Sequence, residues 1–165
     1  MLIGLISDTH DNLPMIEKAV KRLNKEKVEL VLHAGDYVSP FVIPKFKNLN
    51  CKLIGVFGNN DGDHELLRKR FSETINCEVR GKFAEINVDG FKIALLHGDE
   101  TELLSALENH GGFDLVVHGH SHAHIARKSD KTLIVNPGET CGYLTGKATI
   151  ALLDTVKREA RIVEI

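Results

Sequence analysis

An apolar run, Leu2–Ile6, stops abruptly at Ser7-Asp8, and short apolar runs broken by polar clusters continue along the whole chain. Leu2–Ile6 has the length of a buried strand. Beyond it, Leu13, Ile16, Val20 and Leu23 recur at helical spacing, and Asn12 stands where an N-cap belongs. Leu30-Val31-Leu32 predicts a second strand, Ser39-Pro40 a helix start and Leu53–Phe57 a third strand. Helical pattern returns at Leu66, Leu67 and Phe71. This order predicts a parallel sheet covered by helices.

The second half is richer in strands. Ala84, Ile86 and Val88 alternate on one face, Asp89-Gly90 is a two-residue hairpin turn, and Phe91, Ile93 and Leu95 continue beyond it. A short helix fits Glu100–Asn109, stopped by Gly111-Gly112. Leu115–Val117, Leu133–Val135, Ala148–Leu153 and Ala160–Ile165 predict further strands, the last two paired as a hairpin. No linker, repeat or low-complexity stretch interrupts the pattern, and 165 residues suit one domain spanning 1–165.

Five apolar runs end in polar residues able to hold metal: Ser7-Asp8-Thr9-His10, His33-Ala34-Gly35-Asp36, Gly58-Asn59-Asn60-Asp61, His97-Gly98-Asp99 and His118-Gly119-His120-Ser121-His122. Ligands bind beyond the carboxyl ends of strands in α/β sheets, so these five ends are expected to meet at one rim. Aspartate, histidine and asparagine donors suit Mn, Fe, Zn, Co or Ni. Asp8 and His10 lie two residues apart, and extended backbone would point both the same way; His120 and His122 share that spacing. Gly35, Gly58 and Gly119 precede candidate ligands, where a missing side chain lets backbone turn sharply.

The series DTH, GD, GNND, HG and GHSH resembles the calcineurin-like metallophosphoesterases, whose pattern is DxH, GD, GNH followed by an acid, a histidine, then GHxH. The resemblance runs from Asp8 to His122, and Asn136-Pro137-Gly138 resembles a loop of the small phosphodiesterase subgroup. It implies an α/β fold of two packed mixed β-sheets flanked by helices, a four-layer α-β-β-α sandwich. It further implies two divalent ions, one held by Asp8, His10 and His122, the other by Asn59, His97 and His120, with Asp36 bridging both. Mn2+ is the expected metal, with Ni2+, Fe2+, Co2+ or Zn2+ as alternatives. The implied activity is hydrolysis of phosphodiesters by attack of a metal-bridging hydroxide on phosphorus. A protein-interaction scaffold on the same fold is the alternative, because a eukaryotic retromer subunit resembles this subgroup.

Asn60 stands where the family has a histidine that touches the phosphate and protonates the leaving group. An asparagine donates a hydrogen bond but is no general acid, which implies a preference for good leaving groups, slower turnover or another acid nearby. Asp61, the following acid, is expected to orient a ligand or the Asn60 loop. Asp99 reads as a helix cap, His33 and His118 as buried and hydrogen-bonded, His64 and His110 as solvated, and His124 as facing the site rim or solvent.

A net charge of −2 gives no field to grip nucleic acid, and two tyrosines with no tryptophan leave little for base stacking. A small phosphate ester drawn by bound cations is the expected substrate. No apolar run approaches the ~20 residues of a membrane span, and Leu2–Ile6 lacks the basic flank of a leader peptide. Cys51, Cys77 and Cys141 are odd in number and outside any CxxC spacing, which reads as reduced thiols in a cytoplasmic protein. The sequence leaves a homodimer open.

Overall fold

The computed structural model describes residues 1–165. Strands β1 (Leu2–Ile6), β2 (Leu30–His33), β3 (Lys52–Gly55), β4 (Cys77–Val79), β10 (Thr149–Asp154) and β11 (Glu159–Glu164) form one six-stranded sheet, ordered β11-β10-β1-β2-β3-β4. Strands β5 (Phe83–Val88), β6 (Phe91–Leu96), β7 (Leu115–Val117), β9 (Thr132–Asn136) and β8 (Ile125–Ser129) form a five-stranded sheet in that order. Both are mixed. β1, β2, β3 and β4 run parallel, β10 is antiparallel to β1, and β11 is antiparallel to β10; β6, β7 and β9 run parallel while β5 and β8 are antiparallel to them.

Strand periodicity sorts the core into three slabs. Ile3, Leu5, Leu30, Leu32, Ala151 and Leu153 of the first sheet pack against Ile93, Leu95, Leu115, Val117, Leu133 and Val135 of the second. On the outer face of the first sheet, Ile6, Val31, Leu53, Ile150 and Leu152 meet helix α1 (Leu13–Glu26), a 3-10 helix (Pro40–Asn48) and helix α2 (His64–Glu73). On the outer face of the second, Ala94, Leu96, Val116 and Ile134 meet Leu104 and Leu107 of helix α3 (Thr101–His110). The result is the expected four layers. These strands are apolar on both faces because both faces are covered, so they read as continuous runs rather than alternations.

Asn12 caps α1 by accepting from the Met15 amide, and Ser39 caps the 3-10 helix by accepting from the Phe41 amide. Asp89-Gly90 turns with φ of 51° and 86°, as a two-residue hairpin requires. The third strand ends at Gly55 rather than Phe57. There β2 has ended at His33, and the Phe57 amide turns to the Gly81 carbonyl at 2.7 Å. Helix α3 begins at Thr101, and its N-cap is Glu100 without a side-chain bond, so Asp99 does not cap it. The closing hairpin spans Thr149–Asp154 and Glu159–Glu164. No helix is long and apolar enough to cross a membrane.

Candidate metal centre

The five polar clusters gather at one rim, beyond the carboxyl ends of β1, β2, β3, β6 and β7. Backbone bonds lock the loops together. The Asp8 amide donates to Gly35 O at 3.0 Å, the Thr9 and His10 amides to Asp36 O at 3.1 Å, and the Gly119 amide to His97 O at 2.8 Å. Gly58 and Gly119 serve close approach rather than turning. A methyl group on Gly58 would run into Asp36, and one on Gly119 into Ser7 Oγ and Asp8 Oδ2. Gly35 alone of the three has the left-handed backbone expected of a sharp turn, with φ of 97°.

Asp8 and His10 do not converge through extended backbone. Their φ values are 52° and 38°, and His120 and His122 are likewise left-handed at 66° and 60°. Asp36, at 61°, joins them. Non-glycine residues pay to sit there, and they do so where function over-determines the conformation. The departure also separates His120 from His122, which extended backbone would have aimed together.

His122 turns to the first loop: Nε2 lies 3.4 Å from Asp8 Oδ1 and 3.3 Å from His10 Nε2. His120 turns the other way, with Nδ1 3.0 Å from Asn59 Oδ1 and its ring edge-on to His97 at 5.2 Å. Asp36 lies between: Oδ2 is 3.4 Å from His10 Nε2 and 3.4 Å from His97 Nε2. Two groups therefore present donors close enough for one ion each, Asp8 with His10 and His122, and Asp36 with Asp8 and His97. His120 falls outside these two groups and is bonded to Asn59.

The proton positions make these distances informative. His97 Nδ1–H donates to the Ala34 carbonyl at 2.8 Å, so Nε2 carries a lone pair. That buried nitrogen has no hydrogen-bond partner, and neither has Asp8 Oδ1. His122 Nδ1–H donates to Glu139 Oε2 at 2.6 Å, so its Nε2 lone pair faces the Asp8 carboxylate. With the rings neutral, acceptor thus opposes acceptor twice within one rim, an arrangement that costs energy unless a cation or a proton lies between. His10 is pushed above its ordinary pKa, chiefly by the neighbouring Asp8 carboxylate. His97 rises as well: burial opposes it, but the Asp36 carboxylate outweighs burial. Asp36 is held far below the usual carboxylate range, against its own burial, by His97 and Asn60.

Asn60 stands on Asp36, its amide nitrogen and side-chain nitrogen donating to the two carboxylate oxygens at 2.9 and 2.8 Å. Asp61 clamps the loops, accepting from the Gly58, Val38 and Asp36 amides at 2.7, 2.8 and 3.1 Å. Burial raises its pKa despite those bonds. His33 is buried as expected: the Gly35 amide donates to Nδ1 at 3.1 Å, and Nε2–H reaches Thr9 Oγ1 at 3.2 Å. His118 is also buried, with Nδ1 3.2 Å from Gly119 O. His124 and His110 are exposed. His64 is not simply solvated, because its ring stacks on Phe57 at 4.1 Å and 6°.

The sequence reading missed Glu139. This fully buried carboxylate holds His122, and it also accepts from the Leu144 and Thr145 amides, Thr145 Oγ1 and Cys141 Sγ. His122, Glu139 and Cys141 lie close enough to suggest a third ion. The bonds already on Glu139 and a Cys141 thiol that burial pushes up to about 12 make the trio a hydrogen-bonded support instead. The Asn136-Pro137-Gly138 loop points to this region, but nothing in residue type separates Glu139 from a surface glutamate.

A model of the calcineurin-like phosphoesterase superfamily domain matches residues 1–158. The chain belongs to that superfamily. Phosphodiesterase MJ0936 of Methanocaldococcus jannaschii is 43% identical over 161 residues, covering 98% of this chain and 97% of that protein. A solved structure described as a novel archaeal phosphodiesterase matches with a TM-score of 0.95 and 42% identity over 100% of both chains. Vps29 of Entamoeba histolytica matches with a TM-score of 0.72 at 19% identity over 100% of this chain and 98% of that one, which shows a shared fold and nothing more.

Proposed function

We propose that this superfamily member hydrolyses phosphodiesters at two divalent cations, with Mn2+ the expected metal and Ni2+, Fe2+, Co2+ or Zn2+ as alternatives. The observation that carries the reading is the double opposition of acceptors that arises when the His97 and His122 rings are neutral, as metal ligands must be. His97 Nε2 and Asp36 Oδ2 face each other at 3.4 Å, and His122 Nε2 and Asp8 Oδ1 do the same at 3.4 Å. Asp8, His10 and His122 would hold one ion, and Asn59, His97 and His120 the other. Asp36 would touch both, as its position between His10 and His97 supports.

Bound divalent ions supply Lewis acidity toward phosphoryl oxygens and acidify water to a nucleophile at neutral pH. The chain's own residues set the rest. Asp61 fixes the Asp36 and Gly58 loops against each other. Asn60 holds the Asp36 carboxylate, and its amide can donate to a phosphate oxygen but delivers no proton to a departing alkoxide. Diesters with acidic leaving groups are therefore the preferred class. Kinship with an archaeal phosphodiesterase at 43% identity supports diesters over monoesters. A cytoplasmic setting suits three free cysteines. A pure scaffold is disfavoured, since a chain released from catalysis has no reason to keep buried acceptors opposed.

The test is turnover of bis-p-nitrophenyl phosphate by chelator-treated protein, restored by Mn2+, Ni2+ or Mg2+, alongside metal analysis of the purified chain. Restored hydrolysis with two ions per chain is expected. No turnover with any metal would return the scaffold reading.

A further inference from the structure

We propose that Glu139 is a positioning residue that fixes the His122 ring in the Nδ1–H form, so that its Nε2 lone pair is aimed at the ion shared with Asp8 and His10. The inference rests on the metal-centre reading above and adds to it a residue outside the seven ligands. Glu139 Oε2 accepts the His122 Nδ1–H at 2.6 Å, short for a nitrogen donor and in keeping with a charge-assisted bond. In the neutral ring the opposite nitrogen is then the acceptor, and it faces Asp8 Oδ1 at 3.4 Å. A carboxylate behind a ligating imidazole also strengthens it as a donor to metal.

Glu139 is itself held rigidly. Its Oε1 accepts from the Thr145 amide at 2.6 Å, Thr145 Oγ1 at 2.7 Å and the Leu144 amide at 2.9 Å. Oε2 takes the Cys141 thiol at 3.3 Å. All of these partners are donors, so the side chain cannot rotate to another use. The Cys141 amide in turn donates to Asp8 O at 3.1 Å, which ties the Glu139 loop to the strand end carrying Asp8. Asn136 anchors the other side, donating to Gly119 O at 2.8 Å and Ser121 Oγ at 3.0 Å on the loop that bears His122. The segment after β9 thus grips the GHSH loop by backbone and by one ring nitrogen.

The test compares wild type with Glu139→Ala, Glu139→Gln and Thr145→Val. Thr145→Val removes a bond to Oε1 and leaves the Oε2–His122 bond intact, so it controls for loop support. Mn2+ titration into metal-free protein should show one of two sites weakened about 10- to 100-fold in Glu139→Ala. Thr145→Val should stay within about twofold of wild type. Glu139→Gln, whose amide oxygen still accepts from Nδ1–H, should fall between and serves if the alanine variant does not fold.

Long-range 15N–1H NMR of histidine-labelled, metal-free chain reads the ring directly. Wild type should show His122 as the Nδ1–H form, and Glu139→Ala should lose that preference. Wild-type Mn2+ affinity in Glu139→Ala, an unchanged His122 ring signal, or equal losses in Thr145→Val and Glu139→Gln would each overturn the proposal. If wild type itself binds no divalent ion, the metal-centre reading fails, while the NMR comparison still decides whether Glu139 sets the ring.

Discussion

The Asp36 carboxylate lies at the middle of the centre, meeting Asn60, His10 and His97. Asp36→Ala removes the shared acceptor, so both ions should bind weakly. Loss of several kcal/mol of transition-state stabilisation means a fall of at least about 10²-fold in kcat/KM on bis-p-nitrophenyl phosphate. Wild-type turnover with excess Mn2+ would contradict its central place. His33 offers a different test. Burial holds its pKa well below 6.5. As pH falls below 6.5 the unfolded chain takes up a proton that the folded chain refuses, so His33's contribution to stability is present above that pH and lost below it. His10 and His97, raised in the fold, act in the opposite sense. The difference between wild type and His33→Asn, by urea denaturation of metal-free protein, isolates the term. The wild type should lose about 1.4 kcal/mol per pH unit more than the variant below pH 6.5. Parallel pH profiles would show that His33 is not buried neutral.

At the scale of elements, the strands read correctly where both faces are covered and poorly where they are not. β1, β2, β6 and β7 announce themselves as apolar runs because core lies on each side. β8, Ile125–Ser129, is nearly all exposed and reads as polar loop, and β4 has only three half-buried residues. Both are edge strands, held by ladder bonds rather than burial, and hydrophobic pattern carries no trace of that. The five loop clusters were legible because residue type follows metal chemistry. How they converge was not, since left-handed backbone at Asp8, His10, His120 and His122 is imposed by neighbouring loops. Glu139 escaped for a related reason: its importance lies in partners distant in sequence. Gly119 matters as its place in the sequence suggests, but for space and not for the sharp turn expected of it. Gly119→Ala should cost about 1–3 kcal/mol by equilibrium denaturation, because Ser7 and Asp8 must move. It should weaken Mn2+ binding as well, as the Asp8 carboxylate is displaced. A variant as stable as wild type would mean that the two loops sit further apart.

For the molecule as a whole, the rim concentrates what the rest of the fold keeps out of its core. Asp8, Asp36, Asp61 and Glu139 are all buried there, in a chain whose net charge is only −2. Asp61 and Glu139 are satisfied by backbone and side-chain donors; Asp36 has only Asn60 besides the facing histidines, and Asp8 Oδ1 has no hydrogen-bond partner. The four layers can therefore fold without metal, yet the rim where both sheets meet gains stability once cations separate the opposed acceptors. Each site that binds only the folded chain adds about 2.7 kcal/mol at an ion concentration of 100 times its Kd. For a domain of this size that corresponds to a rise of roughly 5–10 °C in Tm for one site, and more if both fill. Scanning calorimetry of chelator-stripped protein, titrated with Mn2+, should show this rise saturating with site occupancy. In Asp36→Ala the metal-free Tm should fall, because Asn60 and His97 lose the carboxylate that holds them, while the Mn2+-dependent rise should largely vanish. A rise of equal size in that variant would place the bound ions elsewhere on the molecule and leave the opposed acceptors of the rim unexplained.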